Sequence, residues 1–104
     1  HALLVCDLYD SLKARGIQFD GAWLSDDLGY RSAPIISPAM YPELVKPHHR
    51  RICEYPAQDG MPVILHSDGD VRPLIVDFIE DGFTALHPLE AKAGLDVADL
   101  RSRY

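Results

Sequence analysis

Two histidines, His66 and His87, each follow a short apolar run, and acidic residues stand close to both. The run from Val63 to Leu65 leads directly into His66, and Asp68 lies two residues further along the chain. An imidazole near a carboxylate can act as a general acid or base, bind a substrate carboxylate or hold a metal ion. These residue types therefore predict acid–base or binding chemistry where the apolar runs end.

Asp26 and Asp27 follow a third run, from Ala22 to Leu24, after one intervening serine. Neighbouring side chains on a strand point in opposite directions, so only one of the two carboxylates can face the same side as His66. The other can cap a turn or contact solvent. The candidate catalytic residues are His66, Asp26 and His87, and the candidate substrate-binding residues are Asp27, Asp68, Arg72 and Glu90.

Several of these side chains also have a purely structural interpretation. The two histidines can be hydrogen-bonded within loops, Glu90 can pair with Lys92, and Asp70 can cap a helix. Arg72 stands beside that predicted helix start, where an anion is favoured. A basic cluster earlier in the chain is interpreted as a solvated helix face or a partner contact: Lys46, His48, His49, Arg50 and Arg51.

The spacing of apolar residues predicts alternating helices and strands. The stripe Leu4, Leu8 and Leu12 predicts a helix from Ala2 to Arg15, and Ser37 begins a helical region that prolines should break near Lys46. Three strands are expected, each buried on both faces. Two later helices follow Asp70 and Asp96 as capping residues, and their predicted apolar positions are Leu74, Ile75, Phe78, Ile79, Val97, Leu100 and Tyr104.

The element order α-βα-βα-βα predicts an α/β fold with parallel strands joined by right-handed crossovers. A doubly wound sheet and a (β/α)8 barrel both fit this order. In either architecture the ligand lies at the carboxyl ends of the strands, where the candidate residues fall.

Composition limits the classes of protein and partner. The chain has 104 residues, 47% of them hydrophobic and 25% charged, which fits a single domain spanning residues 1–104. The formal net charge of -6 argues against a nucleic-acid surface. Two separated cysteines favour a reducing cytoplasm, and no apolar run approaches the roughly 20 residues of a membrane span. The start at His1, without a methionine, is expected for a piece of a longer protein.

Five segments together resemble the uroporphyrinogen decarboxylase superfamily, over about residues 17–104. They are Gly-Ala-Trp-Leu-Ser-Asp-Asp-Leu-Gly (21–29), Ile-Ser-Pro-Ala-Met-Tyr (36–41), Leu-Val-Lys-Pro-His-His (44–49), Val-Ile-Leu-His-Ser-Asp-Gly-Asp-Val-Arg-Pro-Leu-Ile (63–75) and Ala-Leu-His-Pro-Leu-Glu-Ala-Lys-Ala-Gly-Leu-Asp-Val (85–97). The resemblance implies a partial TIM-type (β/α)8 barrel of about three βα units, from the central-to-late part. It also implies decarboxylation of an acidic tetrapyrrole or related compound without a cofactor. The family's invariant aspartate and late histidine fall outside this chain.

The superfamily also contains zinc-dependent methyltransferases that act with a corrinoid partner. That branch uses a His-x-Cys zinc pair, and the matching positions here are His66 and Asp68, with a carboxylate in place of the thiolate. Zinc remains the alternative cofactor because it accepts carboxylate oxygen. The third possibility is a catalytically inert fragment that mainly self-assembles, since a slice of a barrel leaves strand edges unpaired. The expected partners are an acidic small molecule and a second copy of the chain, in a homodimer or higher oligomer, with neither nucleic acid nor membrane.

Overall fold

Three parallel strands form the centre of the computed structural model, which describes residues 1–104. They are β1 (Ala22–Ser25), β2 (Val63–His66) and β3 (Ala85–His87), and they lie in the order β1-β2-β3. Ser25 pairs with His66, and His66 pairs with His87. The mixed α/β class and the parallel strands are confirmed, and this register brings the three carboxyl ends to one edge of the sheet.

Five helices complete the fold: α1 (Ala2–Ala14), α2 (Tyr41–Leu44), α3 (Lys46–Gln58), α4 (Ile75–Asp81) and α5 (Val97–Arg103). The expected break near Lys46 is confirmed, because Val45 separates α2 from α3 and Pro47 lies in the first turn of α3. Pro56 was expected to interrupt this region, yet it lies inside α3. Asp96 caps α5 as predicted, accepting a hydrogen bond from the Asp99 amide at 2.9 Å. None of these helices is long and apolar enough to cross a membrane.

The hydrophobic core lies on one face of the sheet only. Its strand residues occupy alternate positions: Ala22, Leu24, Val63, Leu65 and Leu86. Cys53 of α3 and Phe78 of α4 pack against them. The intervening positions face the other way, and Trp23 among them is 56% exposed because no helix covers that face. The expectation that every strand is buried on both faces was therefore wrong.

The buried stripe of α1 also differs from the predicted one. Leu4 and Leu8 are 68% and 56% exposed, whereas Ala2 and Cys6 are buried. These two small side chains let α1 approach α3 closely. Ile79, an apolar position of the helix predicted after Asp70, is also exposed, as are Val97 and Tyr104 of the helix predicted after Asp96.

The winding of the chain runs in one direction. The three strands are adjacent in chain order, and core residues from α3, α4 and α5 pack against the same face of the sheet. A right-handed crossover repeated in one direction puts successive helices on one face, whereas a doubly wound sheet needs them on both. Within residues 1–104 the sheet is therefore singly wound and open at both edges.

Two strand-end loops touch through their backbones. The Asp70 amide donates to the Tyr30 carbonyl oxygen at 2.7 Å, which joins the loop after β2 to the loop after β1. A Cβ on Gly29 would lie 2.2 Å from the Asp68 carbonyl oxygen, and one on Gly69 would lie 2.5 Å from the Tyr30 carbonyl oxygen. Only glycine fits at this crossing, which fixes the loops that carry Asp27 and Asp68.

Candidate functional site

His66 and His87 lie side by side on the uncovered face, at the carboxyl ends of β2 and β3. Their Nδ1 atoms are 2.9 Å apart, so one ring must donate a proton and the other must accept it. Protonating both Nδ1 atoms would set two donors against each other. Trp23 lies beside both rings, with centroids 4.9 Å from His87 and 5.9 Å from His66. The pair therefore holds one shared proton next to an exposed aromatic surface.

Asp27 and Asp68 lie on the outer side of His66. Their Oδ1 atoms are 3.9 Å and 4.0 Å from His66 Nε2, too far for hydrogen bonds but close enough to stabilise an imidazolium. Asp27 Oδ1 also accepts from the Asp68 amide at 3.2 Å. One ligand atom from each of the three residues lies within 4.8 Å of the others, so they could hold a metal ion. This group combines one nitrogen and two carboxylates, with no sulfur.

Asp26 lies on the opposite side of the sheet from Asp27, as strand alternation predicts. Its Oδ2 atom is 2.9 Å from His49 Nε2, within the helical layer. The three candidate catalytic residues are therefore not in one cluster. His66 and His87 are in contact, whereas Asp26 belongs to a second group of polar side chains.

That second group is a hydrogen-bonded chain that runs into the core. His49 Nδ1 is 2.8 Å from the Tyr41 hydroxyl, and Tyr41 in turn lies 2.7 Å from Asp81 Oδ2. Asp81, His49 and Tyr41 are all buried. Loss of hydration raises the pKa of Asp81 despite its hydrogen bond to Tyr41, and burial raises the pKa of Tyr41 as well.

His49 was interpreted from sequence as part of a solvated basic face, and that interpretation was wrong. The helix buries it together with Ile52, Cys53 and Pro56. The signal was present in the spacing, because Val45, His49 and Cys53 follow one another at four-residue intervals. A polar residue on such an apolar stripe indicates a buried hydrogen-bonding partner.

Arg72 and Glu90 are engaged in contacts within the protein. Arg72 binds both carboxylate oxygens of Asp70, at 2.8 Å and 2.7 Å, so its guanidinium is not free to serve as the expected anion site. Glu90 Oε2 accepts from the Gly69 amide at 2.8 Å and holds the loop after β2. Asp70 accepts from the Arg72 amide at 3.1 Å, which places it at a short 3-10 turn ahead of α4.

Asp70→Asn is expected to lower the free energy of unfolding at neutral pH by about 1 to 3 kcal/mol, because the two charged hydrogen bonds between Arg72 and the buried Asp70 carboxylate are lost or weakened. The hydrogen bonds from Arg72 lower the pKa of Asp70 in the folded protein. The stabilisation is thus present above the unfolded-state pKa and is lost as pH falls through the lowered folded-state pKa. Urea denaturation across the acidic range measures this loss.

Asp99→Asn is the matched control, since Asp99 and Arg103 form an exposed i,i+4 pair at 2.9 Å. Such pairs contribute about 0.3 to 0.5 kcal/mol. Equal effects of the two substitutions would contradict a special contribution from the Asp70 pair.

Asp81→Asn is expected to alter the pH dependence of stability in the opposite sense. Folded Asp81 has a raised pKa, so the folded chain binds this proton more tightly than the unfolded chain does. Its contribution is fully present below the unfolded-state pKa and is lost as pH rises through the folded-state pKa. Wild-type stability should therefore fall relative to that of Asp81→Asn over this interval, as measured by urea denaturation. Parallel pH profiles of the two proteins would contradict this assignment.

Comparison with known proteins gave no match: no protein-family model, no curated protein and no solved structure is similar to the chain. The interpretation of the two groups of polar residues therefore rests on their distances and burial alone. The first group, the histidine pair with Asp27 and Asp68, lies on the uncovered side of the sheet. The second group, the hydrogen-bonded side chains that link Asp26 to Asp81, lies on the side of the helices.

Proposed function

We propose that the chain is part of an enzyme of the uroporphyrinogen decarboxylase superfamily. In this proposal the strand ends belong to a (β/α)8 barrel site that removes a carboxylate group from an acidic tetrapyrrole or a related compound. The observation that carries it is the 2.9 Å contact between the Nδ1 atoms of His66 and His87 on adjacent strand ends. The single direction of winding supports it, because successive βα units of a barrel follow this pattern and turn their uncovered face inward.

The chemistry needs an acid and an anion. An acid protonates the pyrrole ring, and a carboxylate stabilises the resulting cation. The carbon–carbon bond to the carboxylate group then breaks, so that carbon dioxide leaves and the electron pair of that bond neutralises the ring. The exocyclic carbon takes up a proton, and the ring loses the one that it received. The His66–His87 pair is suited to supply the proton. Asp27 and Asp68, both exposed beside His66, are suited to stabilise the cation. No cofactor is required for this sequence of steps.

Substrate turnover and substrate binding test this proposal separately. The chain alone is expected to be inactive, because the family's invariant aspartate and late histidine fall outside it, so uroporphyrinogen is incubated with the longer protein of which the chain is proposed to be part. The products are separated by chromatography, and His66→Asn and His87→Asn should each lower the rate by about 10² to 10⁴. Binding is followed through Trp23, the single tryptophan, whose fluorescence a tetrapyrrole lying against the histidine pair should quench. His48→Asn is the control, since His48 is exposed on α3. The absence of both turnover and quenching would contradict the proposal.

A zinc-dependent methyl transfer with a corrinoid partner is the second candidate. It is favoured by the Asp27, His66 and Asp68 ligand atoms, which lie within 4.8 Å of one another. Calorimetric titration with Zn²⁺ tests it, with Asp68→Asn as the variant and Asp99→Asn as the control. Stoichiometric zinc that is lost only with Asp68→Asn supports the metal site and counts against decarboxylation without a cofactor. No zinc binding removes this candidate.

Self-assembly is the third proposal, and the exposed Trp23 and the unpaired edges of β1 and β3 support it. We expect a homodimer, in which two copies cover each other's open sheet face. Light scattering on a sizing column measures the molar mass, and a monomer at all concentrations would contradict the expectation.

A further inference from the structure

A cleft of about 280 Å³ lies where β1 ends, on the helical side of the sheet. The side chains that matter for its chemistry are Leu24, Asp26, Val45, His49 and Ile52. Asp27 and the histidine pair face the other side of the sheet, so this cleft is separate from the site proposed above. Half of the lining is apolar, and Asp26 is its one carboxylate; the other polar lining residues are His1, Ser25, His48 and His49. An apolar wall with a few polar groups is the general composition of a site for a small organic ligand.

Whether the Asp26 carboxylate is paired with a charged His49 follows from counting the protons along the buried hydrogen-bonded side chains. Asp26, His49, Tyr41 and Asp81 make three consecutive contacts of 2.9, 2.8 and 2.7 Å, and each contact needs one proton. With Asp81 ionised, Tyr41 donates to it and must accept from His49, which is then an imidazolium. With Asp81 protonated, the direction reverses: Asp81 donates to Tyr41, Tyr41 donates to His49 Nδ1, and neutral His49 donates to Asp26.

The surroundings of Asp81 favour the second arrangement. Its side chain is fully buried, and its Oδ1 atom has no hydrogen-bond partner. Arg50 Nε is 3.9 Å away on a half-exposed side chain, and Lys46 is engaged by Asp77 and Glu80. An ionised carboxylate with one unpaired oxygen costs far more to bury than a carboxylic acid does. Burial shifts the pKa of Asp81 in the same direction, upward.

A neutral His49 leaves the charge of Asp26 uncancelled. His49 Nε2 donates a hydrogen bond to Oδ2 of Asp26 and fixes the orientation of the carboxylate, while Oδ1 has no hydrogen bond within the protein. We propose that this cleft binds an organic monocation, an amidinium or ammonium group on an apolar body, through the free oxygen of Asp26. The apolar body then lies against Leu24, Val45 and Ile52. His49, Tyr41 and Asp81 are positioning residues that keep the carboxylate anionic and oriented.

Benzamidinium and its neutral isostere benzamide test the ligand class by calorimetry. The titration is run in mildly alkaline buffer, because His1 and His48 also line the cleft and protonated imidazoles would repel a cation. We expect benzamidinium to bind and Asp26→Asn to weaken it by about ten-fold or more, because a charged hydrogen bond is lost. Asp99→Asn removes the same charge in an exposed pair with Arg103, away from the cleft, and should leave the affinity unchanged. Equal binding of both compounds, or equal effects of both substitutions, would overturn the proposal.

The ¹⁵N resonances of His49 test the proton arrangement independently of any ligand. We expect a neutral ring protonated at Nε2, and the same spectrum in Asp81→Asn, whose amide replaces the carboxylic acid as a donor to Tyr41. An imidazolium spectrum at neutral pH in the wild-type protein would overturn the assignment. Asp26→Asn can still accept from His49 Nε2, so its thermal unfolding should confirm that lost binding is not lost folding.

Discussion

Gly69→Ala should lower the free energy of unfolding by about 3 to 5 kcal/mol, since strain in the backbone adds to a steric clash. Gly69 has φ +79°, in the left-handed region, and an added Cβ would lie 2.5 Å from the Tyr30 carbonyl oxygen and 2.6 Å from its nitrogen. The neighbouring atoms belong to backbone that the Asp70 amide holds in place, so they cannot move aside independently. Guanidinium denaturation monitored by circular dichroism measures the change.

Gly60→Ala is the matched control. Gly60 has a similar φ of +69°, yet nothing lies within 4 Å of its added Cβ. Only the backbone strain then remains, and it should cost about 1 to 2 kcal/mol. Similar losses from the two substitutions would show that the crossing of the two loops contributes little to stability.

Leu65→Ala should lower the free energy of unfolding by about 2 to 5 kcal/mol, because it removes a side chain from the centre of the core. Leu65 is completely buried on β2, the middle strand. The Leu65 side chain packs between the helices and the sheet. The cavity left by truncation to alanine can therefore collapse only in part. Thermal and chemical unfolding should both report the loss.

Leu8→Ala is the corresponding control on α1. Leu8 is 56% exposed, so its truncation should change stability by no more than about 0.5 kcal/mol. A large loss with Leu8→Ala would mean that the exposed face of α1 packs against another surface in solution, such as a second copy of the chain.

The strands and the helix break were predictable from local signals. Val63 to Leu65 is a short β-branched apolar run bounded by Pro62 and by polar residues, which favours a buried strand in a parallel sheet. Pro47 at the start of α3 has no amide to donate to the Glu43 carbonyl, and its ring crowds that carbonyl, which accounts for the break at Val45. These signals act within a few residues, so tertiary context does not override them.

The contact between His66 and His87 was predictable for a different reason. Both residues end an apolar run, and parallel strands in a βα repeat align their carboxyl ends. The opposite orientation of Asp26 and Asp27 follows from the two-residue period of a strand. The period does not say which of the two carboxylates faces His66: the sequence analysis chose Asp26 as a catalytic residue, whereas the structure places Asp27 beside His66 and Asp26 beside His49.

The buried stripe of α1 and the buried chain through His49 depend on which surfaces meet. Helix α1 carries apolar residues on more than one side, and the small size of Cys6 selects the side that touches α3. His49 is buried because Tyr41 and Asp26, from two other elements, both reach its ring. Such partners are far apart in sequence, and local patterning does not identify them.

Because Asp26 and Asp27 are adjacent in sequence, the length of β1 determines which side chain faces His66 and which faces His49. Since neighbouring side chains alternate, removing or inserting one residue before Asp26 would turn its carboxylate toward His66 and direct a different side chain toward His49. Substitutions can therefore tune either environment separately, whereas a change in length disturbs both. We expect homologous chains that retain both carboxylates to tolerate insertions between Tyr30 and Ala33 but not between Trp23 and Asp27.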